Sequence, residues 1–75
     1  MNIDLSKFNT RQTQEIRLGL ARELDVSVYA KPDFTWEQMK QIRLGMLQGL
    51  DVSVYAKPEF SRDQMKQKRK EMMCV

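Results

Sequence analysis

Seventy-five residues with thirteen basic and ten acidic side chains, one cysteine and no histidine describe a single small, mildly basic domain. That inventory excludes an intramolecular disulfide and leaves histidine-dependent zinc or acid–base chemistry without its residues. A chain this short buries only about 60–65% of the surface its unfolded form exposes, so marginal stability and self-association into a homo-oligomer are expected.

The first residues, Met1 to Leu5, lack the basic head and apolar run of a signal peptide, and no stretch approaches the roughly 18 apolar residues of a membrane span. The single thiol, Cys74, fits a reducing compartment. The expectation is a cytoplasmic protein that does not cross a membrane. From residue 8 onward the chain repeats itself. Residues 8–33 and 34–59 coincide at fifteen positions, and the block Leu24 to Pro32 returns unchanged as Leu50 to Pro58. A third copy begins at Phe60, keeps Gln64-Met65-Lys66-Gln67, and then diverges through residue 75. Residues 1–7 echo half a unit, with Ile3-Asp4-Leu5-Ser6 in place of Leu24-Asp25-Val26-Ser27. Self-similarity at a fixed 26-residue spacing signals stacked supersecondary units.

Within each unit the first element reads as an amphipathic helix. Thr35 with Gln38 and Ser61 with Gln64 have capping-box spacing, and Asn9 with Gln12 is a variant of it. Phe34 with Met39, and Phe60 with Met65, have the spacing of a hydrophobic staple. Met39, Ile42, Met46 and Leu50 then form one apolar face. Gly49 suits a left-handed helix stop; Glu23 stands there in the first copy, which predicts a less regular end. Gly19 and Gly45 lie mid-helix, where the recurrence predicts close approach of a neighbouring helix. The second element, Asp51 to Ala56, predicts a helix of one or two turns, with an extended connector as the alternative. Pro58 closes it. The fold class is therefore all-α: tandem helix pairs of long helix, short helix and Pro-containing loop, in two full units with a partial C-terminal capping helix.

Candidate functional residues are few. Nothing resembles a catalytic constellation or a glycine-rich phosphate loop, so no enzyme and no cofactor are expected. Arg17 and Arg43 recur eight residues before Asp25 and Asp51, which predicts an ion pair or a helix-end contact that locks the long helix to the short element, with display to a partner as the alternative. Tyr29 and Tyr55 are expected half-buried with the hydroxyl outward. Trp36 has no counterpart in the other copies and is expected to be partly exposed. Arginine and aromatic side chains are common binding hot spots, so these five residues are the candidates for protein contact. The entire net charge lies in residues 60–75, where Arg62, Lys66, Lys68, Arg69 and Lys70 face only Asp63 and Glu71. That run could meet nucleic-acid phosphates, weakly and without base specificity, or could simply form the polar outer face of a terminal unit.

The pattern Phe34-Thr35-x-x-Gln38-Met39-x-x-Ile42-Arg43-x-Gly45-x-x-x-Gly49-Leu50-Asp51-Val52-Ser53-x-Tyr55-Ala56-x-Pro58 resembles a repeat of gut-associated Firmicutes, phage and mobile-element proteins. The likeness spans residues 8–67 and fails at residues 68–75 and at Glu23. It implies a helical module appended in tandem to larger polypeptides, and transfers no functional residue. A 75-residue chain built from such a unit would suit a small protein-binding inhibitor, for example an anti-CRISPR-like anti-defence protein that occludes a host nuclease. A nucleic-acid binder and a structural fragment without its own target are the alternatives.

Overall fold

The computed structural model describes residues 5–73; Met1 to Asp4, with the start of the expected half-unit, and Cys74 lie outside the described residues. Every regular element among them is helical. A 3₁₀ turn, η1 (Leu5–Lys7), precedes α1 (Thr10–Ala21), and η2 (Val26–Val28), α2 (Trp36–Leu47), η3 (Val52–Val54) and α3 (Arg62–Met73) follow. The three α-helices have twelve residues each and begin at residues 10, 36 and 62, one repeat length apart. α1 packs on α2 and α2 on α3, in a body of 38 × 24 × 16 Å.

The helix starts follow from local chemistry. In all three boxes the N-cap side chain accepts the N3 amide while the N3 glutamine carbonyl accepts the N-cap amide: Asn9 with Gln12, Thr35 with Gln38, Ser61 with Gln64. The helix ends are equally alike. Leu24 and Leu50 donate to the carbonyls of Gly19 and Gly45 at 3.0 Å, and Glu23 and Gly49 donate to Leu20 and Met46 at 3.0 and 3.1 Å. This is the paired bonding of a Schellman stop, and it requires a left-handed residue at the C′ position. Gly49 adopts φ 75°, and Glu23 adopts φ 60° despite its side chain. The first helix therefore ends as regularly as the second, at the expense of backbone strain at Glu23.

The ambiguous segment resolves as a single 3₁₀ turn. Asp25 accepts the Ser27 amide at 3.3 Å and Asp51 accepts the Ser53 amide at 3.2 Å, each capping the turn that follows. This cap favours the helical alternative over an extended connector.

Two recurring sets of side chains form the core. Ile16, Val26, Tyr29, Phe34 and Met39 are buried, and Ile42, Val52, Tyr55 and Met65 repeat them, with Phe60 half-buried. The single apolar stripe read on α2 is two seams. Its Met39 position is Thr13 on α1, against which no α-helix packs on that side among the described residues. Its Ile42 position is Lys68 on α3, which likewise has no α-helix on its outer side among them. Conversely α1 buries Ile16 and α3 buries Met65. A middle helix fills both seams, and each terminal helix fills one.

Candidate protein-binding face

The mid-helix glycines have a different neighbour from the one expected. A Cβ at Gly19 or Gly45 would meet the hydroxyl of Tyr29 or Tyr55 and would lie 2.6 or 2.7 Å from Cγ1 of Val26 or Val52. The close approach is that of the 3₁₀ turn and its tyrosine, and no partner helix comes as near. Through this gap each tyrosine hydroxyl reaches the main chain one turn upstream: Tyr29 donates to the Glu15 carbonyl and Tyr55 to the Gln41 carbonyl, both at 2.7 Å. Both tyrosines are fully buried. The expectation of half-exposed rings with outward hydroxyls is overturned, because an inward hydroxyl finds a backbone acceptor while the ring fills the seam. Desolvation by burial is the larger cause that pushes both phenols up, to about 12, against a smaller opposing pull from Arg43 on Tyr29 and Arg69 on Tyr55.

The arginine ladder links successive long helices, and the pairing with the short element does not form. Arg43 Nε lies 3.1 Å from Glu15 Oε1, with both side chains largely buried. Arg69 Nε makes the same contact with Gln41 Oε1, also at 3.1 Å. Asp25 and Asp51 are occupied at their caps, so the eight-residue spacing from arginine to aspartate joins nothing. The operative spacing is 28 residues, from Glu15 to Arg43 and from Gln41 to Arg69. Arg17 is the first rung of this ladder. It is exposed and has no ion-pair partner among the described residues.

Trp36 is half-buried and lies under the guanidinium of Arg11, 5.1 Å from its ring centroid. At the next step of the array Arg62 pairs with Glu37 at 2.5 Å. These are the same two positions, N2 of one helix and N1 of the next, joined by a cation–π contact in one case and an ion pair in the other. Trp36 thus has an internal partner that accounts for its difference from Thr10 and Arg62.

The basic run on α3 is also partly engaged. Besides Arg62 and Arg69, Lys68 stands 5.0 Å from the Phe60 ring centroid, and Arg69 reaches Gln48 at 3.2 Å. Lys66 and Lys70 are exposed one turn apart. Among the described residues no group of three histidine, cysteine or acidic side chains is placed to hold a metal ion, and no helix is long and apolar enough to cross a membrane.

The two ends of the stack differ. The outward face of α1 is a groove of about 540 Å³ lined by Phe8, Thr10, Thr13, Gln14, Arg17 and Leu18. The outward face of α3 is a groove of about 430 Å³ lined by Phe60, Asp63, Gln64, Gln67, Lys68 and Glu71. At the α3 end the isoleucine and glycine of the inner seams are replaced by Lys68 and Glu71. At the α1 end Leu18 stays 41% exposed beside Arg17. Of the five residues expected to contact protein, Arg17 is the one left open on the surface. Phe8 and Leu18 join it there, although neither stood out in sequence. The clue to them is that their counterparts Phe34 and Leu44 occupy the covered version of the same face. Comparison with protein-family models, with curated proteins and with solved structures finds no match to the chain.

Proposed function

We propose that the chain is a small non-enzymatic protein-binding module on a helical-repeat scaffold. The observation that carries this is the open α1 face, where an unpaired arginine stands beside an exposed leucine and a half-buried phenylalanine in one groove. That combination of aromatic, aliphatic and guanidinium groups is typical of binding anchors. The likeness to a mobile-element repeat extends the proposal to inhibition by occlusion, in which the rigid stack covers part of a host-defence protein. Nucleic-acid binding through α3 is less supported, because Arg62, Lys68 and Arg69 already hold intramolecular contacts and two exposed lysines give little phosphate affinity.

The test is capture from the source organism with the immobilised full chain. The proposal expects a defined protein retained by the wild type and by Lys66→Glu/Lys70→Glu. Retention of mixed-sequence DNA or RNA at low ionic strength, abolished by that lysine pair of substitutions, would establish the phosphate-binding alternative. A chain that retains neither protein nor nucleic acid would leave the structural-fragment reading.

A further inference from the structure

We infer that the outward face of α1 docks an acidic amphipathic helix of the partner protein, in the register that α1 itself uses toward α2. The inference rests on the protein-binding proposal and names the surface and the chemistry it selects. The internal interfaces show twice what covers this face. Over α2 the cover is the side of α1 that carries Gln12, Glu15, Ile16 and Gly19. Gln12 donates to the Phe34 carbonyl at 2.6 Å and Glu15 accepts Arg43 at 3.1 Å. Over α3 the cover is Gln38, Gln41, Ile42 and Gly45 of α2, with Gln38 donating to the Phe60 carbonyl at 2.6 Å and Gln41 accepting Arg69. On α1 the equivalent groups are Arg17 and the region of Phe8, and no helix lies over them among the described residues.

The occupant therefore presents an acceptor oxygen to Arg17, as Glu15 does to Arg43 and Gln41 to Arg69, followed by an aliphatic side chain to lie in the seam beside Leu18, as Ile16 and Ile42 do. Charge complementarity with an exposed, unpaired guanidinium selects a carboxylate over an amide at that position. A second copy of this chain is a poor occupant. Its free end presents Lys68 and Glu71 where the inner covers present isoleucine and glycine, and Lys68 would bring a cation toward a face that already carries Arg17. The two ends are capped unequally. The α3 end is closed by charge, and the α1 end keeps its arginine and its leucine.

The probe is a synthetic peptide of residues 9–33, the natural cover of the equivalent face. It is cross-linked between positions 14 and 18, which are exposed on α1, so that it is helical in solution. Titrated into isotopically labelled full-length chain, it is expected to give saturable amide shifts centred on Phe8, Thr13, Arg17 and Leu18. Arg17→Glu in the chain should weaken binding by about tenfold or more, and Glu15→Arg in the peptide should restore it to that variant. Absence of saturable shifts, shifts centred on α3, or binding indifferent to the charge swap overturns the inference. So does self-association of the chain that Arg17→Glu dissolves, since the occupant would then be a second copy. Capture of a partner that survives Arg17→Glu/Leu18→Asp leaves the binding function standing and rejects this face alone.

Discussion

Replacing Gly45 by alanine should destabilise the protein, against the usual effect of that change in a helix. Alanine is favoured over glycine in a helix interior by about 1 kcal/mol. Here the new methyl would overlap the Tyr55 hydroxyl and lie 2.7 Å from Val52 Cγ1. Overpacking of this kind costs about 1–3 kcal/mol. Displacing the hydroxyl from the Gln41 carbonyl leaves a buried donor unsatisfied, for about 1–3 kcal/mol more. The net expectation is a loss of about 3 kcal/mol. Tyr55→Phe alone should cost about 1 kcal/mol, because the Gln41 carbonyl keeps its helical donor. In the double variant the overlap with oxygen is gone and the contact with Val52 remains, so the combined loss should fall short of the sum by about 2 kcal/mol. Urea unfolding followed by circular dichroism measures all four corners of the cycle. The matching cycle at Gly19 and Tyr29 has the same surroundings and should give the same coupling. Gly49→Ala is the control: it strains a backbone at φ 75° with nothing within 4 Å, so its loss should be additive with Tyr55→Phe. A stabilised Gly45→Ala variant, or additivity at Gly45 and Tyr55, would refute the packing argument.

Four further outcomes follow from the same contacts. Gln38→Glu keeps the shape but turns a donor to the Pro58 and Phe60 carbonyls into a carboxylate, and should cost about 2–4 kcal/mol in chemical unfolding; Gln64→Glu, whose amide nitrogen donates to no carbonyl among the described residues, should be neutral. Glu15→Gln should cost less than about 1 kcal/mol, since Arg69 and Gln41 already make the neutral version, whereas Glu15→Ala strands Arg43 and should cost about 3–5 kcal/mol. Glu23→Gly should raise the melting temperature through about 1 kcal/mol of relieved strain, and a lower melting temperature would count against that reading. In alkaline solution the unfolded tyrosines ionise near pH 10 while Tyr29 and Tyr55 hold their protons to about 12. The stability they contribute is therefore intact below pH 10 and lost between 10 and 12, by about 2–3 kcal/mol for each tyrosine. Tyrosinate absorbance should appear together with unfolding, and the doubly Phe-substituted chain should show a shallower alkaline decline.

Helix starts, and the α2 stop at Gly49, were legible in sequence because their determinants are local: a cap, a glutamine three residues on, and a glycine that accepts positive φ. The equally regular α1 stop was missed because Glu23 takes the same φ without being a residue that favours it. The short element was nearly legible, since Asp51 and Ser53 carry the cap, but three residues hold too little periodicity to separate a 3₁₀ turn from an extended segment. Contacts between repeats were the hard part. Arg43 is eight residues from Asp51 and 28 from Glu15, and nearness in sequence favours the first acid while the stack brings up the second. Tyr55 was misplaced for a related reason. Its side chain is amphipathic, and the space that admits its hydroxyl exists only because Gly45 belongs to a different element. The open α1 face could not be read from its own residues. It becomes visible when Arg17 is compared with what Arg43 and Arg69 touch.

Because α2 fills both seams, residues 34–59 form a closed set of instructions for joining one neighbour on each side. A gene that duplicates this stretch in frame adds one more helix spacing to the stack, about 8–10 Å, and disturbs neither end. Growth by whole units then changes length without changing the two outer faces of the stack. Lys68 and Glu71 would still terminate one side and Arg17 would still front the other. The nine-residue block that the two copies share is what such copying would leave behind.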